Sequence, residues 1–382
     1  MKPARKKRRK HTGLKATLLS LLALLVFTTI MLWCFPEVVY RFWYPFPVHE
    51  AAYNTSLTPI ELHSVTPSAA SSGTDTASIE RAQETLDAAV KTFVDAGFED
   101  IFEAEGVYIV DEDGNVIFSK NETEMLYPAS TTKLMTALVV VENVPDLDEM
   151  VEIGELTGCY EDGSVLMYLD EGDSMTYRDL LYAMLMHSYN DAATALAMAA
   201  GGDLDTFASM MNAKAEALGL VNSHFVNPHG LFNEEHYTCA KDLNTILQAA
   251  YAQPLIAEIL TCKECTVLLH GASGNDYDVD LENTSSFLNG TYSIPGFEYM
   301  GGKTGYIMKA RSCVATVFEH EGKLYYSTVL KALDASYMTT LLFDYQYDPY
   351  AAADLLRTEP VMKAWQLDNE GIETSESDAG EP

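Results

Sequence analysis

A mixed α/β fold of the α+β kind, an antiparallel sheet flanked by helices with a helical subdomain, follows from three features of the sequence. Strand-like runs open the domain, a long series of helical runs follows, and strand-like runs return before a last helix. That order puts the first and last strands in one sheet, completed by both ends of the domain. Hydrophobic residues make up 48% of the 382-residue chain, enough for a sizeable core. No internal repeat is present.

The N-terminal end is a separate matter. Residues 1–15 are a basic head, and the first 35 residues carry eight Lys or Arg and no acid. Ala16 to Pro36 then runs 21 residues without a charge. A helix of about 20 apolar residues spans a bilayer, whereas a cleavable signal has an apolar region of about 7 to 15. The cluster Tyr40, Phe42, Trp43 and Tyr44 resembles an interfacial belt. The expectation is an uncleaved single-pass anchor over 16–36, with the head in the cytoplasm and the body outside the cell membrane. A long, removed signal peptide is the alternative, and it exports the body equally. Residues 37–77, rich in Ser, Thr, Pro and Ala from 45 onward, read as an extracytoplasmic linker. The folded domain is expected over 78–350, followed by an acidic tail over 351–382.

Net charge is -32, and with the basic head set aside the rest of the chain stands near -40. Such a body is repelled by polyanions, so no nucleic-acid partner is expected.

Within the domain, apolar spacing predicts a helix over 78–96. "GVYIVDEDGNVIFSK" reads as a hairpin turning at Asp113-Gly114-Asn115. A helix follows in "PASTTKLMTALVVVEN", then helical runs over 176–200 (broken near Ser188), 203–218 and 240–251. From 264 the β-rich runs are "CTVLLH", "YMGGKTGY" and "SCVATVFEHEGKLYYSTVLKA", and a helix over 334–344 closes the domain. Cys262 and Cys265 leave open a local disulfide, half of a zinc site, or reduced thiols. No second pair stands at ligand spacing, and neither a metal nor another cofactor is expected.

Three stretches carry candidate chemistry. Ser130 sits at the start of an apolar helix with Lys133 three residues on, and positions i and i+3 share a helix face. The helix is apolar nearly all round, so Lys133 needs a partner or must lose its proton. To act as a base near neutrality its pKa must fall by roughly 3 units, which burial beside another cation can supply. Alone, Ser-x-x-Lys fits a helix cap and a snorkelling lysine as well as a nucleophile and its base. Ser188 and Asn190 stand at a break between two apolar helical runs. Lys303 and Thr304 lie among glycines in "GGKTGY", as on an edge strand that receives an extended, anionic peptide.

Ser130-Thr-Thr-Lys133, Ser188-Tyr-Asn190 and Lys303-Thr304-Gly305, in that order, resemble the three motifs of the penicillin-binding proteins and serine β-lactamases. The flanking words "YPASTTKLMTAL", "SYNDAATALA", "NPHGLFNEEHYTCAKDL" and "GGKTGY" are similar to the D-alanyl-D-alanine carboxypeptidases, over about 105 to 345. The resemblance implies a β-lactamase/transpeptidase-like fold, peptidoglycan stem peptides as substrate and β-lactams as covalent inhibitors. It implies Ser130 as nucleophile, Lys133 as its base and Ser188 as a relay to the leaving D-alanine. Asn190 would bind the substrate backbone, and Lys303 with Thr304 the terminal carboxylate. The N–H groups of Ser130 and Tyr306, beside Gly305, would form the oxyanion hole. Histidines 224, 229 and 236 read as structural hydrogen-bonders.

The chain departs from the family pattern after Tyr306. Ile307 stands where threonine is usual, and Arg311 where glycine is usual, so Arg311 is expected to crowd the sheet or add a cation near the site. Tyr189 replaces a small residue, with His187 beside it. Two other readings stay open: a serine β-lactamase, against which no Glu-x-x-x-Asn box follows the second motif, and a weakly catalytic or non-catalytic wall-peptide-binding protein, which Ile307 and Arg311 motivate.

Overall fold

Strands from the two ends of the domain pair directly. In the computed structural model, which describes residues 102–161 and 163–348 and in addition Ala88, strand β1 (Gly106–Asp111) lies between β2 (Val116–Lys120) and β9 (Lys323–Ala332), antiparallel to both. Strands β8 (Arg311–His320) and β7 (Glu298–Ile307) complete a five-stranded sheet in the order β2-β1-β9-β8-β7. The sheet is thus closed by both ends of the domain, as the order of elements implies. The anchor at 16–36, the linker at 37–77, the tail at 351–382 and all of the 78–96 helix except Ala88 fall outside the described residues. Among the described residues no helix is long and apolar enough to cross a membrane.

Alternation along the strands decides what each face of the sheet meets. Val107, Ile109, Val314, Phe318 and Val329 face helix α7 (Ala335–Tyr347) and its Leu341, Leu342 and Phe343. Each such side chain, fully buried, contributes about 1.5–3 kcal/mol. Cys313, Ala315, Val317 and Leu330 face the opposite way, into the larger core that holds the remaining helices. There Asn244 of α5 (Ala240–Tyr251) donates to the carbonyls of Tyr108 and Tyr326, tying that helix across β1 and β9.

Helix α1 (Lys133–Asn143) is central: Leu134, Met135, Ala137, Leu138 and Val140 have no exposed surface. It is entered through a 3-10 turn, Ala129–Thr132, rather than as a regular α-helix from residue 129. The helical run over 176–200 is two helices, α2 (Tyr177–Met186) and α3 (Asn190–Gly201), separated by His187, Ser188 and Tyr189. Helix α4 (Leu204–Ala217) follows.

Three features escape the sequence pattern. Helix α6 (Pro254–Thr261) has eight residues and opens with proline at its first turn, where the missing N–H costs nothing. A second, four-stranded sheet runs β3 (Met150–Glu152), β4 (Ser174–Thr176), β5 (Glu264–His270), β6 (Asp276–Glu282). Strand β6, "DYDVDLE", spaces Asp276, Asp278, Asp280 and Glu282 two residues apart along an exposed edge, so its composition reads as a loop. Cys262 and Cys265 are free thiols, as are Cys159, Cys239 and Cys313.

Candidate active site

The 3-10 turn sets Ser130 and Lys133 one turn apart with the lysine turned inward. Lys133 is fully buried, and its Nζ lies 2.8 Å from Ser130 Oγ, 2.7 Å from Asn190 Oδ1 and 3.0 Å from the carbonyl of His229. Two of these three neighbours only accept. A neutral amine has two N–H bonds to donate, and Asn190 Oδ1 and the His229 carbonyl take both. Its lone pair is then left pointing at the Ser130 hydroxyl. Burial holds the Lys133 pKa well below that of a free lysine, and the charge of Lys303 pushes it the same way, while Asp191 opposes them.

The loop 226–231 is a mould for the start of α1. Asn227 Oδ1 accepts from the N–H of His229 and Gly230, and its amide donates to the Leu231 carbonyl, which closes the turn. Thr136 donates to the Pro228 carbonyl at 2.6 Å. His236 takes the Val226 N–H on Nδ1, so its Nε2 carries the proton and donates to Thr132 Oγ1 at 2.8 Å. Burial lowers its pKa to about 3 and keeps the ring neutral. His229 is also held neutral, first by burial and then by Lys133. Both histidines are structural hydrogen-bonders, as is His224, which bonds the Glu235 carbonyl.

Ala129, just before Ser130, has φ +49, in the left-handed region that costs an L-residue roughly 1–2 kcal/mol. Gly230 packs on that strained residue, and a Cβ there would lie 1.8 Å from the Ala129 carbonyl oxygen. Strand β7 approaches from the other side. A Cβ on Gly305 would lie 2.8 Å from the Ser130 nitrogen and 3.0 Å from that of Thr131. Lys303, two residues earlier on the same face of the strand, is 2% exposed and points into the same region. Burial lowers its pKa to about 7. Thr304 bonds Thr284 through its hydroxyl at 3.1 Å, and Tyr306 is exposed.

The second motif meets the first through Asn190, at the start of α3. Ser188 has φ +66, and such strain in a non-glycine residue concentrates at working sites. No hydrogen bond joins its hydroxyl to Ser130, Lys133 or Lys303 among the described residues. His187 and Tyr189 stack on each other with ring centroids 4.6 Å apart, and His187 Nδ1 contacts the Glu282 carbonyl. The polar break between α2 and α3 is thereby pinned to the second sheet. Arg311 does not crowd the sheet. It is exposed at the end of the β7–β8 hairpin, opposite Ile307, with φ +53. That backbone conformation is the reason for a glycine there. Ile307 packs against the larger core.

Sequence reasoning passed over two participants. One is the His229 carbonyl, a backbone group that no residue type announces. The other is Asp191, whose signal was an acid in the first turn of a helix beginning at a motif residue.

A family model described as D-alanyl-D-alanine carboxypeptidase matches residues 95–333. The D-alanyl-D-alanine carboxypeptidase DacF of Bacillus subtilis is 33% identical over 218 residues, 56% of this chain and 53% of that protein. A D-alanyl-D-alanine endopeptidase of Pseudomonas aeruginosa is 34% identical over 202 residues, 53% of this chain and 62% of that protein. The chain therefore spans little more than half the length of these curated relatives. Among solved structures, the Streptomyces K15 DD-transpeptidase superposes with a TM-score of 0.59 at 28% identity, covering 64% of this chain and 97% of that one. The mixed α/β architecture with antiparallel sheets is that of the DD-peptidases, and the chain belongs to the D-alanyl-D-alanine carboxypeptidase family.

Proposed function

We propose that this protein is a membrane-anchored serine D-alanyl-D-alanine carboxypeptidase that trims peptidoglycan stem peptides through an acyl-enzyme and is acylated by penicillin. One observation carries the reading: a fully buried lysine, its pKa held well below that of a free lysine by burial, whose Nζ lies 2.8 Å from Ser130 Oγ while Asn190 Oδ1 and the His229 carbonyl accept from it.

Ser130 Oγ attacks the carbonyl carbon of the penultimate D-alanine, and its proton passes to Lys133 Nζ. Ammonium formed there is held by the same two acceptors. The N–H groups of Ser130 and Tyr306 take the charge that develops on the carbonyl oxygen. As the tetrahedral adduct collapses, the C–N bond breaks and the proton moves from Lys133 through Ser188 to the leaving amine. Water then attacks the ester as Lys133 accepts its proton; the C–Oγ bond breaks, Lys133 returns the proton to Ser130 Oγ, and the shortened peptide departs. Lys303 and Thr304 hold the terminal carboxylate, Gly305 lets the strand pass against the serine, and Asn190 orients both the lysine and the substrate backbone. Residues 16–36 span the membrane and place the domain outside it.

The test uses the full chain in detergent, a fluorescent penicillin and a D-alanine-terminated pentapeptide, with Ser130→Ala and Lys133→Ala alongside. Covalent label and D-alanine release in the wild type, both lost in each variant, is the expected result. A folded wild type that takes no label and releases no D-alanine overturns the proposal. Because one relative is a DD-endopeptidase, a cross-linked stem-peptide dimer belongs in the same assay. Protease protection in inverted and right-side-out vesicles tests the anchor.

A further inference from the structure

Loop 165–169 and the first turn of α3 hold each other from both sides. The Asn190 N–H donates to the Val165 carbonyl at 2.9 Å. In return, Asp191 Oδ1 accepts the N–H of Met167 at 3.0 Å, and Oδ2 accepts those of Tyr168 at 2.7 Å and Leu169 at 3.2 Å. Oδ1 also takes the Ala192 N–H at 3.0 Å. This carboxylate is 4% exposed and is satisfied by four backbone N–H groups. It holds a segment whose Tyr168 is 80% exposed and has φ +64. A surface segment in a strained conformation persists only where its surroundings over-determine it.

We propose that Asp191 is a positioning residue for acylation: by clamping loop 165–169 onto the start of α3, it keeps Asn190 aimed at Lys133. This inference rests on the acyl-enzyme reading of the site. The Asn190 side chain supplies one of the two acceptors that orient the Lys133 amine, and Asn190 is the residue whose main chain the loop grips. Loosening the clamp frees α3's first residue and lets the amine rotate away from Ser130.

The same carboxylate also bears on the lysine's charge, opposing the larger effects of burial and Lys303. The groups that face Lys133 are Ser130 on its own turn, Lys303 on β7, His229 on the loop 226–231, and Asp191 on α3. Cys159, in the segment before loop 165–169, also feels Asp191. Asp191 is the anionic member of that set, and its charge keeps the Lys133 pKa from falling further. In Asp191→Asn one carboxylate oxygen becomes an NH2 that meets N–H groups head-on. The charge disappears at the same time.

The decisive experiment compares wild type and Asp191→Asn as full chains in detergent, measuring the acylation rate with a fluorescent penicillin from pH 5 to 9. Backbone amide exchange of Met167, Tyr168 and Leu169 is followed in parallel. Protected amides in the wild type are expected. In the variant they lose protection, the acylation rate falls at least about tenfold, and the acid limb of the rate profile moves to lower pH, because Lys133 loses a neighbouring negative charge. Unprotected wild-type amides overturn the proposal, and that result is readable even where the variant fails to fold. A folded variant with an unmoved acid limb and an unchanged rate overturns it as well. A wild type that is never acylated, yet shows protected amides, strikes the acyl-enzyme reading instead.

Discussion

Gly305 on strand β7 lies directly against the Ser130 turn, so close that a methyl group there would stand 2.8 Å from the serine's backbone nitrogen. The obstacle is backbone, so nothing can swing aside. Gly305→Ala is expected to push β7 off the nucleophile turn and cut acylation by at least about 100-fold, in line with what a displacement near 1 Å costs a positioned reaction. Overall stability should fall by only about 1–3 kcal/mol, the usual cost of overpacking. Penicillin-labelling rates and urea unfolding measured on the same sample separate the two effects.

On the proposed mechanism the two buried lysines need opposite charge states, and their pKa shifts are expected to make activity pH-dependent. Lys133 would act as a base only when neutral, whereas Lys303 would bind a carboxylate only when cationic. In the free protein Lys303 titrates at about 7, so kcat/KM is expected to fall above about pH 7. A bound carboxylate favours the cation and raises that pKa, so the alkaline limb of kcat should lie at higher pH than that of kcat/KM. Pentapeptide hydrolysis measured across pH 5 to 10 checks the separation. Coincident limbs would mean that Lys303 does not hold the carboxylate.

Lys303 also costs stability, with a definite sign. Its pKa drops from 10.5 when unfolded to about 7 in the folded protein. Between those values the unfolded chain binds the extra proton, so stability rises with pH across that window, and below it the full penalty stands. Lys303→Met is expected to abolish turnover of the peptide while stabilising the fold at pH 6.5 by ~2 kcal/mol or more. The gain should shrink at pH 9.5. Urea unfolding at the two pH values provides the test.

Arg311 occupies a left-handed position that glycine adopts without strain. Arg311→Gly is expected to stabilise the protein by about 0.5–1 kcal/mol, net of the extra freedom the unfolded chain gains. Acylation should change less than about twofold, because the residue sits at the hairpin end rather than at the serine. A large change in labelling rate would show that its cation reaches the site.

Much of this molecule can be read from its letters, and the reasons for the remainder are physical. Ser130 and Lys133 are legible because one helical turn is a local geometry. Placing Lys133 on a buried helix was legible too, since Leu134 to Val141 leave no polar side. What Lys133 touches was not, because the His229 carbonyl comes from 96 residues away and carries no side-chain signature. Strands β3 and β4 have three residues each, too few to show a period. Strand β6 alternates acids with apolar residues on an exposed edge, so its polarity masked its pairing. Arg311 hides its backbone role for a different reason: a sequence shows its side-chain charge, whereas the left-handed φ of +53 is visible only in the structure.

The sheet that carries Lys303, Thr304 and Gly305 is joined to β1 through β9, with Thr328 bonding the carbonyl of Tyr108 across 220 residues of chain. A growing polypeptide reaches its serine early and the strand that completes the catalytic pocket almost last. Chains dominated by such distant pairings fold slowly, because loop closure must come before any reward. Ser130 is therefore expected to be inert throughout synthesis and early collapse, with Gly305 not yet laid against it. On the proposed mechanism, chemistry begins only when the two ends of the domain meet, so reactivity toward a β-lactam is expected to report that folding is complete, and a chain cut before β7 is expected to keep Ser130 without reacting.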